Sequence, residues 1–235
     1  MKNPKIIYED NDIIVCYKPA GIATQTRRIG QQDMESFIRN YRAAKNEPPY
    51  VGIVHRLDQP VEGVMVFAKN QKAAASLSRQ IKEHTTEKYY HAASRGHGVS
   101  GADKKEDNHD PAWHTLTDYI SFDKRTNTSK ITSEKDRQAK KAVLQYRILS
   151  NECNKTEFDI KLLTGRHHQI RLQLANIGYP LIGDTKYGKP ASNNSGTGNV
   201  AGRTGSCVRE QLALCSYKLV FDHPATGERM TFELP

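Results

Sequence analysis

Short apolar runs broken by turn residues fill this chain, and helical spacing is confined to a few places. Residues 6–8 and 13–17 flank Asp10-Asn11-Asp12 and read as two strands around a turn. Val51 to Val54 leads into a Pro/Gly turn, and Val64 to Ala68 is a continuous apolar run that reads as a buried strand. Lys88 to Ser94, residues 115–122, residues 142–149 and Phe158 to Leu163 are strand-like as well. Leu212 to Asp222 and Met230 to Leu234 flank His223-Pro224-Ala225-Thr226-Gly227 and read as a closing hairpin. Helical spacing is found in Met34 to Ala44, with Phe37 and Tyr41 on one face. It recurs in Gln71 to His84, with Ala74, Leu77 and Ile81 as the inner stripe, and in Gln169 to Ile177, closed by Gly178 and Pro180. Strands without regular βα alternation predict an α+β fold with a mostly antiparallel sheet. Asp123 to Lys141 reads as a highly charged turn region, and residues 96–111 and 189–206 read as flexible surface loops.

With 235 residues the chain can bury a sizeable core. It shows no internal repeat and no composition shift, so one domain over 1–235 is expected. Lys and Arg number 35 against 26 Asp and Glu, a formal net charge of +9. Such an excess suits a polyanionic partner, because each phosphate neutralised releases condensed counterions. An ordinary basic surface is equally consistent with the charge alone. The four cysteines show no CxxC and no paired spacing, which argues against zinc and against a disulfide framework. No signal peptide or membrane span is apparent, so a cytoplasmic protein is expected. A phosphate-binding glycine loop, a metal triad and a dinucleotide fingerprint are all missing. Gly96-His97-Gly98 lacks the third glycine of such a fingerprint, and no cofactor is expected.

The chemistry concentrates in His55-Arg56-Leu57-Asp58. An acid beside an arginine, in a turn just before a strand, is where a fixed catalytic carboxylate can sit. About a hundred residues later, Thr164-Gly165-Arg166-His167-His168-Gln169-Ile170-Arg171 supplies cations, and Lys88-Tyr89-Tyr90 lies between the two. A nearby cation lowers the pKa of a carboxylate and orients it. The bland alternative is that Asp58 caps a turn and Arg171 is a helix-surface cation. Period-2 alternation puts Tyr89 and Tyr90 on opposite faces of their strand, and a slip of one residue would exchange them. Adjacent His167 and His168 do not face one another on a helix, so a two-histidine metal site is not expected. Lys135, Arg137, Lys140 and Lys141 read either as a solvated face or as a grip on phosphates.

Four motifs, in their order along the chain, resemble the RluA-type pseudouridine synthases: an opening that runs from Tyr8 through Lys18-Pro19-Ala20-Gly21, the His55–Asp58 segment, the Thr164–Arg171 segment, and Gly183-Asp184-Thr185-Lys186-Tyr187-Gly188. The likeness extends from about residue 6 to about residue 234. It implies the pseudouridine synthase fold, a mixed, mostly antiparallel sheet in two lobes with a central cleft. It also implies a cofactor-free isomerase that flips a uridine out of structured rRNA or tRNA and converts it to pseudouridine. A monomer is expected. Because the opening begins almost at Met1, no S4-type domain is expected before it.

On this resemblance Asp58 is the nucleophile or the group that initiates glycosidic cleavage. Arg171 is its ion-pair partner, and Tyr90 is the aromatic that stacks on the uracil, with its hydroxyl where the C5 proton leaves. Arg56, Leu57, Lys88 and Ile170 are implied as substrate-binding residues, Ile170 lining the uracil pocket. For Arg56, RNA contact and a plain surface cation stand level. His55 reads as a satisfied structural histidine, and Lys186 and Tyr187 stay undecided. The chain departs from the family pattern at Val61-Glu62, where Thr-Ser is usual, at His167 for a common Thr, and at Gln173 for a common His. Asp58, Tyr90, Arg171 and Gly63 are retained. Two rivals are an inactive RNA-binding protein of the same fold, which Val61-Glu62 favours, and a small-nucleoside hydrolase, which the net charge disfavours.

Overall fold

The continuous apolar run becomes strand β4 (Glu62–Ala68), flanked in the sheet by β2 (Ile13–Lys18). Successive side chains of a strand point to opposite faces, so a strand apolar at every position can feed two cores. Val64, Val66 and Ala68 join Ile13 and Val15 on one face. Met65 and Phe67 join Ile14 and Cys16 on the other. Helix α1 (Met34–Ala44) covers the second face with Met34 and Ile38, and α2 (Gln71–Lys82) covers the first with Ala73 and Leu77. Both of these helices start at a side-chain cap. The Asp33 carboxylate accepts from Ser36 N in a capping box, and the Asn70 amide oxygen accepts from Ala73 N.

This computed structural model describes residues 3–26, 28, 30–95, 110–188 and 210–235. The remaining elements are β1 (Lys5–Glu9), β3 (Gly52–Ile53), β5 (Glu87–Arg95), β6 (Asp110–Asp123), β7 (Thr128–Thr132), β8 (Lys140–Glu152), β9 (Lys155–Leu162), α3 (Gln169–Asn176), β10 (Leu214–Asp222) and β11 (Arg229–Glu233). Among the described residues, 11 strands form one sheet, in the order β1-β2-β4-β10-β5-β9-β8-β6-β7, with β3 on β4 and β11 on β10. Among these described strand pairs, only β4–β10 is parallel, and it is short: Cys215 pairs with Glu62 and Ser216 with Gly63. Beyond that register the two strands part. β3 then takes the freed edge of β4, and β11 takes that of β10. Helix α2 packs against β4, β10 and β3 where they diverge. Gly63 makes the junction feasible. Its φ is +141°, and a Cβ there would lie 2.3 Å from the Ser216 carbonyl oxygen.

Several sequence expectations need correction. The charged 123–141 segment contains β7, which pairs with the end of β6 and sets Ile131 opposite Ile120. β7 is an edge strand, and edge strands tolerate polar residues that hide their period. The inner face of α2 is Ala73, Leu77 and Gln80, rotated from the expected Ala74, Leu77 and Ile81. Gln80 can face inward because its amide exchanges two hydrogen bonds with the backbone of Asp222, at 2.8 and 2.9 Å. Residues 110–111 belong to β6 rather than to a loop. The rest of 96–111, and all of 189–206, lie outside the described residues. No helix among the described residues is long and apolar enough to cross a membrane.

Candidate active site

Asp58 sits on the turn between β3 and β4, and that turn is tied down at several points. The Thr24 hydroxyl bridges both backbone groups of Leu57, at 3.0 and 3.2 Å. Gly21 N donates to the Gln59 carbonyl at 2.8 Å, and Val61 N donates to that of Asp58 at 3.0 Å. Lys18 is fully buried, and its ammonium donates to the carbonyls of Ile22, Pro19 and Gln59. Burial pushes the Lys18 ammonium down to about 8, opposed by the negative charges of Asp58 and Glu62. The Lys18-Pro19-Ala20-Gly21 opening therefore acts as a clamp on the Asp58 turn. His55 accepts from Val66 N at 3.0 Å, and burial, with the charge of Lys88 adding to it, lowers it to about 3. It is neutral and occupied, as a structural histidine should be.

The Asp58 side chain is 31% exposed and opens into a cleft of about 600 Å³. Leu57, Val61, Tyr90, Leu162, Ile170 and Leu214 give that cleft its apolar walls, and Arg56, Lys88, His167, His168 and Arg171 its polar ones. All seven residues expected at the site therefore meet here. Arg171 arrives from α3, with Nη1 3.6 Å from the Asp58 carboxylate. Its closer partner is Asp184. Nε and Nη2 form a two-point pair with that carboxylate, both bonds 2.7 Å. Burial pushes the Asp184 carboxyl up, but Arg171 and the amides of Lys186 and Tyr187 outweigh it, so it stays below the usual carboxylate range. Arg171 thus has two acids where the sequence reading gave it one. Asp184 was visible as part of a motif, yet nothing local to it signalled a buried partner. Thr24 and Lys18 carried no signal of their clamping role.

His168 lies in the left-handed region, with φ 54°, and puts Nε2 3.6 Å from Asp58 and Nδ1 2.9 Å from the Tyr187 hydroxyl. Burial, and then the charge of Arg171, push it down to about 3. It is neutral at ordinary pH, so Arg171 is the charged neighbour of Asp58. Tyr90 is 6% exposed and faces the cleft from β5. Burial raises its hydroxyl above the ordinary range, against a hydrogen bond with Ser216, so it stays protonated. Tyr89 points away, donating to Glu87 and lying beside Tyr217, as alternation predicts. Burial lowers the Lys88 ammonium. Arg56 is exposed at the rim and donates to Gln25 at 2.8 Å.

Val61 is 3% exposed and part of the apolar wall. Glu62 turns away, accepts from the Tyr17 hydroxyl, and lines a separate depression with His91 and Cys215. Its charge does not face the Asp58 cleft, which removes the feature that favoured a binding-only protein. Gln173 donates to Asp118 at 2.7 Å.

A sequence profile described as RNA pseudouridylate synthase matches residues 12–176, which hold both the Asp58 turn and Arg171. The chain belongs to the RNA pseudouridine synthase family. Members of this family are isomerases that convert uridine in RNA to pseudouridine. An uncharacterized RNA pseudouridine synthase of Aquifex aeolicus is 34% identical, over 97% of this chain and 68% of its own length. The ribosomal large subunit pseudouridine synthase D of Pseudomonas aeruginosa is also 34% identical, over 98% of this chain and 68% of its own. That of Vibrio cholerae is 32% identical, over 98% and 66%. The chain thus spans about two thirds of the length of these relatives. Among solved structures, Human RNA Pseudouridylate Synthase Domain Containing 4 superposes with a TM-score of 0.72 at 20% identity, covering 98% of this chain and 87% of that one. Domain Containing 1 of the same human set gives 0.68 at 25% identity, over 99% and 83%. The α+β sheet described above is therefore the pseudouridine synthase fold.

Proposed function

We propose that this chain isomerises a uridine in structured RNA at Asp58, with large-subunit ribosomal RNA the first substrate to try and tRNA the second. The observation that carries the assignment is the Asp58 carboxylate itself. It is fixed on a clamped turn, partly exposed into an apolar cleft, and 3.6 Å from a buried arginine. Such a group is oriented and reachable by an extruded base. In this reaction the N1–C1′ bond breaks, the uracil turns, a C5–C1′ bond forms, the C5 proton leaves and N1 takes up a proton, so atoms and electrons balance without a cofactor. Asp58 initiates the cleavage. Arg171, itself held by Asp184, orients it. Tyr90 and Ile170 pack the uracil, while Leu57 and Lys88 line its approach and Arg56 meets the RNA at the rim. Because the Tyr90 hydroxyl stays protonated, the ring serves as a wall and a hydrogen-bond donor. The names of the P. aeruginosa and V. cholerae relatives favour ribosomal RNA. We place the activity in the cytoplasm, on RNA, in a monomer.

The test is tritium release from C5-tritiated uridine in ribosomal RNA transcripts and, separately, in total tRNA. Wild-type protein should release tritium from one pool, and Asp58→Asn should release none. Equal release by Asp58→Asn would remove Asp58 from the chemistry. Release from neither pool would remove the activity.

A further inference from the structure

Beside the cleft, one aromatic side chain stands open to solvent. Phe122, at the end of β6, is 39% exposed, one of only a few large hydrophobic side chains so exposed among the described residues. One side of it meets His167, with ring centroids 4.3 Å apart and tilted by 51°. His167 in turn lies 3.7 Å from His168, whose Nε2 is 3.6 Å from Asp58. Three contacts therefore lead from the catalytic cleft to a ring open to solvent. His167 also lines the cleft, so the two surfaces are continuous.

This ledge is held rigidly. The Ser129 hydroxyl donates to the His167 carbonyl at 2.9 Å, which leaves His167 Nδ1–H to donate to the Ser129 hydroxyl oxygen at 3.0 Å. Ser129 N donates to the Tyr187 hydroxyl at 2.8 Å, and Lys186 Nζ donates to the Asn127 carbonyl. The β6–β7 hairpin is thereby fastened to the entrance of α3 and to the Asp184 turn. Lys124 and Arg125 follow Phe122 and are exposed, while Asp123 is engaged with Arg125 N. A fixed aromatic beside cations is the surface on which single-stranded nucleotides stack.

We propose that Phe122 and His167 form a stacking ledge for an unpaired nucleotide flanking the target uridine, with Lys124 and Arg125 meeting its phosphate. This rests on the assignment of uridine isomerisation to the Asp58 cleft. Flipping a uridine strips its neighbour of a stacking partner, and an aromatic ledge restores one.

The experiment uses the transcript on which wild-type protein releases tritium, and versions of it with an abasic ribose at each position flanking the target. Proteins compared are wild type, Phe122→Ala, Phe122→Trp and His167→Thr, each checked for an unchanged thermal midpoint. On the intact RNA, Phe122→Ala should lower kcat/KM about tenfold, chiefly through KM, and Phe122→Trp should restore it. His167→Thr should fall in the same direction. One abasic RNA should be a poor substrate for wild type and show no further loss with Phe122→Ala. If wild type turns over normally while Phe122→Ala equals it on every RNA, the ledge is wrong and the cleft assignment stands. If wild type turns over no RNA, the cleft assignment is what has failed. In that case a single-stranded oligonucleotide carrying 2-aminopurine, quenched on binding by wild type and not by Phe122→Ala, still decides the ledge.

Discussion

Arg171 answers to two carboxylates, and the more intimate one is not the one in the cleft. Asp184 is fully enclosed and bonded at two points, whereas Asp58 is partly exposed and 3.6 Å away. The two acids should therefore respond differently to the same substitution. Asp184→Asn leaves a buried guanidinium without its counter-charge and should destabilise the fold by about 3–5 kcal/mol. Asp58→Asn removes a long, partly solvated contact and should cost about 1 kcal/mol or less, while ending turnover. Urea unfolding of both variants checks this. Equal stabilities would mean that Arg171 does not depend on Asp184. Asp58, Tyr90 and Arg171 were legible because each sits in a short motif of its own. The Asp184 pairing was not, because it exists only once the turn after α3 folds back over that helix.

At the scale of elements, helices and strands were more readable than the way they meet. Helix α1 follows its predicted limits because a capping box starts it and its apolar spacing is regular. Helix α2 was placed correctly, but the wrong stripe was expected to face inward. A glutamine satisfied by the Asp222 backbone can occupy a core-facing position that hydropathy assigns to Ile81. Strand β7 escaped notice because an edge strand in a charged segment carries little apolar signal. The β4–β10 junction depends on Gly63. Gly63→Ala should destabilise by about 3 kcal/mol or more, from a φ that side chains rarely adopt together with overlap onto Ser216. Gly165→Ala is the control. Its Cβ would meet nothing nearer than Lys88 Nζ at 3.7 Å, and its thermal stability should stay within about 1 kcal/mol of wild type. Comparable losses in the two variants would refute a special role for Gly63.

For the whole molecule, two enclosed histidines contribute to the loss of stability in acid. His55 and His168 are both held near 3, against an ordinary value of 6.5. In the unfolded chain both take up protons as pH falls below 6.5; in the fold they do not. Their contribution is therefore complete above 6.5 and is lost as pH falls towards 3, at no more than about 1.4 kcal/mol per pH unit each. Between pH 7 and pH 5 the unfolding free energy should drop by up to about 2 kcal/mol for each histidine, and His55→Gln should flatten the slope. A wild-type profile that is flat over this range would contradict the burial of both rings.

The sequence by itself determined most strand positions, the α+β class, and the acid, aromatic and arginine motifs in their order. All of these depend on period-2 or period-3.6 patterning and on turn chemistry within a few residues. Only the tertiary structure decided that β10, from the C-terminal end, lies between β4 and β5. Strand edges present the same amides and carbonyls whatever their sequence, so partners far apart along the chain are chosen by burial of both faces at once and by a glycine that lets two backbones touch. That choice joins the β4 side of the sheet, which carries Asp58, to the β5–β9 side, which carries α3, and so brings Arg171 to Asp58.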